Sequence, residues 1–350
     1  MRVLLTGASG FLGANFLGHA LDTTDWMMVC PASFSHRGVP ERISQTITER
    51  PDYWYDLQKE AGHSRQYFSR AEVVTCDLAT PIADTTAALF DKPDIIVNFA
   101  SESHIPRSLA DPVSFVQNNV NVMLHLLEYA RTLPNLNAFV HISTDEVYGP
   151  SAEGGHPEWS PILPSTPYSA SKAAQEALGI AYWRSFGVPL VLVNTMNPIG
   201  PMQDPEKFIP MTIGKVLRGE TVSVHAGADA TIGSRVYVHA RDLAGAITHV
   251  LTREPAGYPA AERPDRWNVV GDRDVDNLEL AQLIAGELRL PLHPQVVASD
   301  RPGHGLRYAL DGSKLAVAGW VPTRTIEQSV AELVRWSLAN PLWANRLPRP

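Results

Sequence analysis

An α/β fold, a doubly wound parallel sheet with a smaller C-terminal α/β lobe, is what the sequence predicts, and three observations carry it. Short apolar runs (Val3-Leu4-Leu5, Ile95-Ile96-Val97, Phe139-Val140) alternate with helical patterns, as expected of parallel strands buried on both faces. A glycine-rich turn from Gly7 to Gly13 joins the first run to the first helix. Thr144, Asp145 and Glu146 follow one another at the carboxyl end of a later run, and in open α/β sheets that end faces the ligand crevice.

The chain has 350 residues, enough for one large domain and an added lobe. Its net charge of -8 argues against nucleic acid as a main partner, because phosphate neutralisation needs a basic face. The two cysteines, Cys30 and Cys76, lie in strand-like runs, which excludes a disulfide framework and suits a reducing compartment. No signal-peptide pattern and no run of 18 apolar residues occurs, so the expectation is a cytoplasmic protein with no membrane partner.

In chain order, Arg2 to Thr6 reads as a strand and Gly7, Gly10, Phe11, Leu12 and Gly13 as a turn opening a helix that runs to about Leu21. Backbone amides and the positive helix end can meet a pyrophosphate there, with no Cβ in the way. The spacing is G-x-x-G-x-x-G, and its place after a first strand favours a dinucleotide over a purely conformational use of glycine. It departs from the G-x-G-x-x-G of the common dinucleotide fingerprint, and the fold expected is of the Rossmann type.

Trp26 to Cys30 reads as the second strand. Where a dinucleotide site places an acid for the ribose, this chain has Pro31, then Ser33 and Arg37. Those two can receive a 2′-phosphate, which leans to NADP over NAD, or can form a surface loop with incidental charge. Residues 38–70 are polar and aromatic without a clear pattern. Glu72 to Cys76 reads as the third strand; Asp77 after it can accept from an adenine or cap a helix, and Leu78 follows. Asp94 to Phe99 reads as the fourth strand, with small Ala100 and Ser101 at its end allowing close approach of a cofactor. A long amphipathic helix is expected from about Val113 to Thr132, carrying Asn118 and Asn119.

Ala138 onward is the fifth strand, delivering Thr144, Asp145 and Glu146. Ser151 to Thr166 is a loop rich in Pro, Gly and Ser. Pro167 then opens a helix on which Tyr168 and Lys172, four apart, share a face. A nearby ammonium favours tyrosinate, lowering the phenol pKa.

The chain resembles the extended short-chain dehydrogenase/reductases acting on nucleotide sugars, the epimerase/dehydratase family, and most closely their 4,6-dehydratases. The likeness rests on Gly7 to Gly13, Ala100 to Ser108, Ile142 to Gly149, Tyr168 to Lys172, Asn197 to Pro210 and Asp300 to Asp311, nearly the whole length. It implies that Tyr168 with Lys172 takes a proton from the sugar 4-hydroxyl as hydride leaves C4, while Thr144 steadies that oxygen. It implies Glu146 as the base at C5 and Asp145 as the acid that expels the 6-hydroxyl as water, before hydride returns to C6. That division needs one carboxyl ionised and its neighbour protonated.

The resemblance further implies a tightly bound NAD or NADP regenerated each cycle, with Asn118 near it. The partner is a nucleoside-diphosphate sugar, for which Ser103, His104, Arg107, Asn197, Lys207, Arg235, Arg301, His304 and Arg307 are contact candidates. Departures are Val122-Met123 where similar enzymes have Gly-Thr, and Val236-Tyr237 after Arg235 where they have Asp-Trp. The expected division is a dinucleotide-binding domain over 1–193, with a return segment near 235–255. A substrate lobe follows over 194–234 and 256–340, with an irregular tail over 341–350. A homodimer, paired through the helices after Asp111 and around Tyr168, and no metal complete the implication.

Overall fold

Seven strands build the central sheet: β1 (Arg2–Thr6), β2 (Met27–Ala32), β3 (Ala71–Thr75), β4 (Ile95–Asn98), β5 (Ala138–Thr144), β6 (Leu190–Thr195) and β7 (Asp265–Val269). Their spatial order is β7-β6-β5-β4-β1-β2-β3. The order in which strands are added reverses between β1 and β4, the switch point at which doubly wound sheets bind ligands. The pairs β1–β2, β1–β4, β2–β3 and β4–β5 are parallel. This computed structural model describes residues 1–35, 37–49, 54–56, 67–227, 229–253, 262–298, 305 and 307–344.

The apolar runs become strands because both faces are covered: every residue of β4, β5 and β6 is buried. Strand β2 is longer than its apolar run suggests. Pro31 pairs with Val74 and Ala32 with Thr75, whereas pairing with β1 is recorded only from Met27 to Val29. Pro31 lies beyond that register, so its missing N–H leaves no ladder bond unmade there, and the loop begins only at Ser33.

The chain divides into two compact units. One comprises Met1–Ile142, Ala170–Leu192 and Thr248–Asp265. Its core packs Leu4, Ile96, Phe139, Leu126, Leu127 and Leu190 together, each fully buried. The helix Pro112–Ala130 in this unit starts cleanly because Asp111 accepts from the Ser114 N–H at 3.3 Å and Pro112 holds the first helical position. Residues 38–70 contribute the helix Pro40–Thr48 and a short antiparallel pair, Trp54–Asp56 with Tyr67–Ser69.

The other unit comprises Ser143–Ser169, Val193–Ile247 and Arg266–Pro350. Its core lies among the helices Phe208–Leu217, Asn277–Leu288 and Ile326–Ala339, with Ile209, Ile213, Leu280, Ile284, Val330 and Leu333 buried. A three-stranded sheet in this unit sets Ser234–His239 between Asn197–Ile199 and Asp274–Asp276. The tail, expected to be irregular from 341, opens with a short helix, Pro341–Ala344. Trp343 fixes it by an edge contact with Trp336, centroids 6.0 Å apart, and by donating Nε1–H to the Gln203 carbonyl at 2.9 Å. Residues 345–350 lie outside the described residues.

Candidate active site

The glycine turn is built by close approach. Gly7 has φ +71, and a Cβ there would stand 2.9 Å from the Ala100 nitrogen. A Cβ on Gly13 would come within 2.2 Å of the Gly7 carbonyl oxygen, so both positions require glycine. The Gly10 N–H donates to the Gly7 carbonyl at 2.8 Å, and the helix Phe11–Thr23 follows with no side-chain cap and no acid in its first turn. The first-turn amides of Phe11, Leu12 and Gly13 form an uncapped positive helix end, which suits a diphosphate.

Around this turn, the Ala100 N–H donates to Thr6 Oγ1 at 3.1 Å, and Thr6 Oγ1 donates to Asn98 Oδ1 at 2.6 Å. Ser101 donates to the Glu102 carbonyl at 3.3 Å. Ser33 and Ser35 share a hydroxyl hydrogen bond of 2.6 Å on the surface. Exposed Arg37 has its carbonyl held by the buried Arg42 guanidinium at 2.5 Å. Asp77 closes a turn, accepting from the Ala79 N–H at 2.9 Å, and Leu78 packs in the core.

The second group of candidates lies on a four-residue 3-10 turn, Asp145–Tyr148, directly after β5. Thr144 Oγ1 donates to Asp145 Oδ1 at 2.9 Å and accepts from the Glu146 N–H at 3.4 Å. Asn194 at the end of β6 donates to the Thr144 carbonyl at 3.1 Å. Among the described residues, Asp145 Oδ2 and Glu146 Oε2 are buried with no hydrogen-bond partner. Buried polar atoms are normally paired, and here two adjacent carboxyls each have an oxygen that is not.

Burial pushes the Asp145 carboxyl up to about 6, opposed by the Thr144 hydrogen bond and by Arg235. Burial, and then the Asp145 charge, push Glu146 up to about 8 against Arg235 and Lys207. Both carboxyls are raised, so the pair holds on to a proton toward neutrality. The Thr144 hydroxyl stabilises the Asp145 anion.

Tyr168 and Lys172 lie one turn apart on the helix Pro167–Phe186. The Tyr168 phenol is raised above its ordinary range by burial first and then by Glu146, with a Thr144 hydrogen bond opposing. The expected lowering is therefore not the balance reached in this state: burial outweighs any stabilising charge. Lys172 donates to the Ile142 carbonyl at 2.7 Å, and burial brings its ammonium down to about 7 against the pull of Glu176.

The substrate candidates fall into three groups. Arg235 and Lys207 act electrostatically on Glu146. Arg235 is oriented by donating to the carbonyls of Ser234 at 2.6 Å and Gly305 at 2.8 Å, with its guanidinium 4.9 Å from the Tyr308 ring centroid. Arg307, in contrast, is committed to Asp274 at 2.8 Å and to the Ser151 and Gly154 carbonyls, and Asn197 donates to the Val236 carbonyl at 3.3 Å. In the other unit, exposed Arg107 pairs with Glu102 at 3.0 Å, His104 precedes the helix Ile105–Ala110, and Ser103 is exposed. Arg301 and His304 lie outside the described residues.

Two features were missed in the sequence. Asn119, not Asn118, is the fully buried asparagine of the long helix. Its side chain accepts from the Glu102 N–H at 2.7 Å and donates to the Glu102 carbonyl and Ser171 Oγ, tying the loop after β4 to the Tyr168–Lys172 helix. Its place four residues after Phe115, on the apolar stripe, was the available signal. Arg266, a fully buried cation on β7, gave no signal in a strand-like run.

Residues 3–269 match the NAD dependent epimerase/dehydratase family. The dTDP-glucose 4,6-dehydratase of Xanthomonas campestris pv. campestris is 34% identical, covering 97% of this chain and 94% of its own length. The enzyme so named from Streptomyces niveus is 33% identical over 100% and 96%. Among solved structures, a double mutant of DesIV, a dTDP-glucose 4,6-dehydratase from Streptomyces venezuelae with NAD and DAU bound, has a TM-score of 0.81 at 30% identity, covering 98% of each chain. UDP-glucuronic acid 4-epimerase from Bacillus cereus reaches the same TM-score at 20% identity, a likeness of fold alone.

Proposed function

This chain belongs to the NAD dependent epimerase/dehydratase family, and from that premise we propose that it is a nucleotide-sugar 4,6-dehydratase, a hydro-lyase that uses a nicotinamide dinucleotide. The observation that carries the reading is the Thr144-Asp145-Glu146 turn, in which Thr144 and Asp145 are buried and Glu146 is half-buried. Two carboxyls crowded into a buried site, each with an oxygen left unpaired, are costly unless a reaction uses them.

The glycine turn and the uncapped helix end after Gly10 fit a dinucleotide diphosphate, with Asp77, Leu78, Ala100, Ser101 and Asn118 beside it in this proposal. A nicotinamide held there would supply hydride acceptance at C4 and hydride return at C6. Tyr168 takes the 4-hydroxyl proton, and Thr144 steadies that oxygen. A Lys172 ammonium, near neutrality only partly protonated, supplies positive charge on the same helix face. Glu146 removes the C5 proton once the neighbouring carbon is a ketone, and Asp145 delivers a proton to the departing 6-hydroxyl. The reaction needs Glu146 ionised and Asp145 protonated, and Arg235 and Lys207 stabilise the Glu146 anion. Arg235 and Lys207 are also the best placed of the substrate candidates. Ser103, His104, Arg107, Asn197, Arg301, His304 and Arg307 complete the proposed set.

The functional division proposed is the one expected from the sequence, a dinucleotide part over 1–193 and a substrate lobe over most of the remainder. The cofactor we propose is NAD, which the solved dehydratase relative carries. The lean to NADP from Ser33 and Arg37 draws no support from that relative; comparing reactivation of cofactor-stripped protein by NAD and by NADP decides it. A homodimer is part of the same proposal. No helix of the described residues is long and apolar enough to cross a membrane. The test of the whole is incubation with dTDP-, UDP-, GDP- and CDP-sugars and mass spectrometry for loss of water. At least one should lose water; loss from none overturns the reading.

A further inference from the structure

The turn that carries both carboxyls is also held from outside itself. At its ends the Glu146 N–H to Thr144 Oγ1 bond is 3.4 Å and the Gly149 N–H to Glu146 carbonyl bond 3.3 Å. Shorter bonds reach it from the loop that follows. The Leu163 N–H donates to the Val147 carbonyl at 2.9 Å, and the Tyr148 hydroxyl, fully buried, donates to the Glu158 carbonyl at 2.7 Å.

Arg266 completes this clasp. From β7 its guanidinium donates to the Tyr148 hydroxyl at 2.8 Å and to the same Glu158 carbonyl at 3.1 Å. It lies 4.3 Å from the Trp159 ring centroid and 5.8 Å from that of Tyr148. The Asn268 N–H, two residues along the strand, donates to Glu158 Oε1 at 3.3 Å, so the loop between the turn and the Tyr168 helix is pinned to the same strand. A fully buried guanidinium is costly to desolvate, and apolar side chains of similar volume would pack strand and loop at least as stably. What an apolar contact cannot supply is direction: a charged donor holds one oxygen, the Tyr148 hydroxyl, at one place.

We propose that Arg266 is a positioning residue, fixing through the Tyr148 phenol the turn on which Asp145 and Glu146 stand. It touches neither carboxyl in this account and acts only through the turn. The proposal rests on the dehydratase reading for the rate it affects, and not for the geometry.

The variants are Tyr148→Phe, which keeps the ring and removes only the hydroxyl, and Arg266→Met. In the full chain with its cofactor, both should lower kcat for water loss about tenfold or more, the scale of small misplacements of reacting groups, with KM within about twofold. Carbon-13 titration of Asp145 and Glu146 should show both carboxyls moving down toward ordinary values, because a loosened turn admits water. A change in packing stability alone leaves those titrations and the kcat-to-KM split unmoved. Unchanged titrations in Tyr148→Phe overturn the proposal whatever the rates, and so does an unchanged kcat. If the wild type dehydrates no sugar nucleotide, the functional reading fails, while the titrations still decide the clasp.

Discussion

Thr144 Oγ1 donates to Asp145 Oδ1 at 2.9 Å, so the hydroxyl assigned to the substrate oxygen also stabilises the Asp145 anion. Burial raises both carboxyls, and its neighbour's charge raises Glu146 further. Thr144→Val should remove the stabilisation of Asp145. Carbon-13 titration should find the Asp145 carboxyl higher than in the wild type, by about one pH unit for a hydrogen bond worth about 1.4 kcal/mol. A titration at or below the wild-type value would rule out this role for the hydroxyl.

Glu146→Gln removes the proposed C5 base and leaves Tyr168 and Lys172 in place. Elimination of water should fall about a hundredfold or more, the usual contribution of a positioned general base, while oxidation at C4 remains measurable as nicotinamide absorbance at 340 nm. Equal loss of both steps would remove Glu146 from the base role.

The same substitution should stabilise the fold in alkali. A carboxyl whose folded pKa is raised, here from 4.5 to about 8, contributes stability below its unfolded pKa that is lost as pH rises toward the folded value. The wild type should therefore weaken between about pH 4.5 and 8 relative to Glu146→Gln. Near pH 4 the two should melt together, and at pH 8.5 the variant should be ahead by about 1–2 kcal/mol, ~2–4 °C per kcal/mol. A gap that is constant with pH would contradict the burial of this charge.

Asn119→Ala should cost about 2–3 kcal/mol by removing the buried bonds that Asn119 makes with the Glu102 N–H, the Glu102 carbonyl and Ser171 Oγ, whereas Asn118→Ala should change stability by less than about 0.5 kcal/mol. Urea melts of both variants check this; the opposite order would return the structural weight to Asn118.

The apolar runs and the glycine turn were legible because each encodes one local requirement. A strand covered on both faces must be apolar throughout, as β4 and β5 are, and a turn in which a Cβ would meet the Gly7 carbonyl at 2.2 Å must have glycine at 13. Thr144, Asp145 and Glu146 were legible as a group because they end such a strand. Asn119 was within reach as a polar residue on an apolar stripe, yet choosing between it and Asn118 needs the rotation of the helix.

What the sequence by itself determined is thus the order of strands and helices, the glycine positions and the chemical types gathered at the end of β5. Only the tertiary structure decided that Pro31 stays within β2, that Arg307 is spent on Asp274 and loop carbonyls, and that Arg266 clasps Tyr148 from 118 positions away. It also decided that both acids are pushed above their ordinary range. Proton affinity depends on burial, on neighbouring charges and on a single hydrogen bond, and those are fixed by residues such as Arg235 and Lys207 that stand far from Glu146 in the chain.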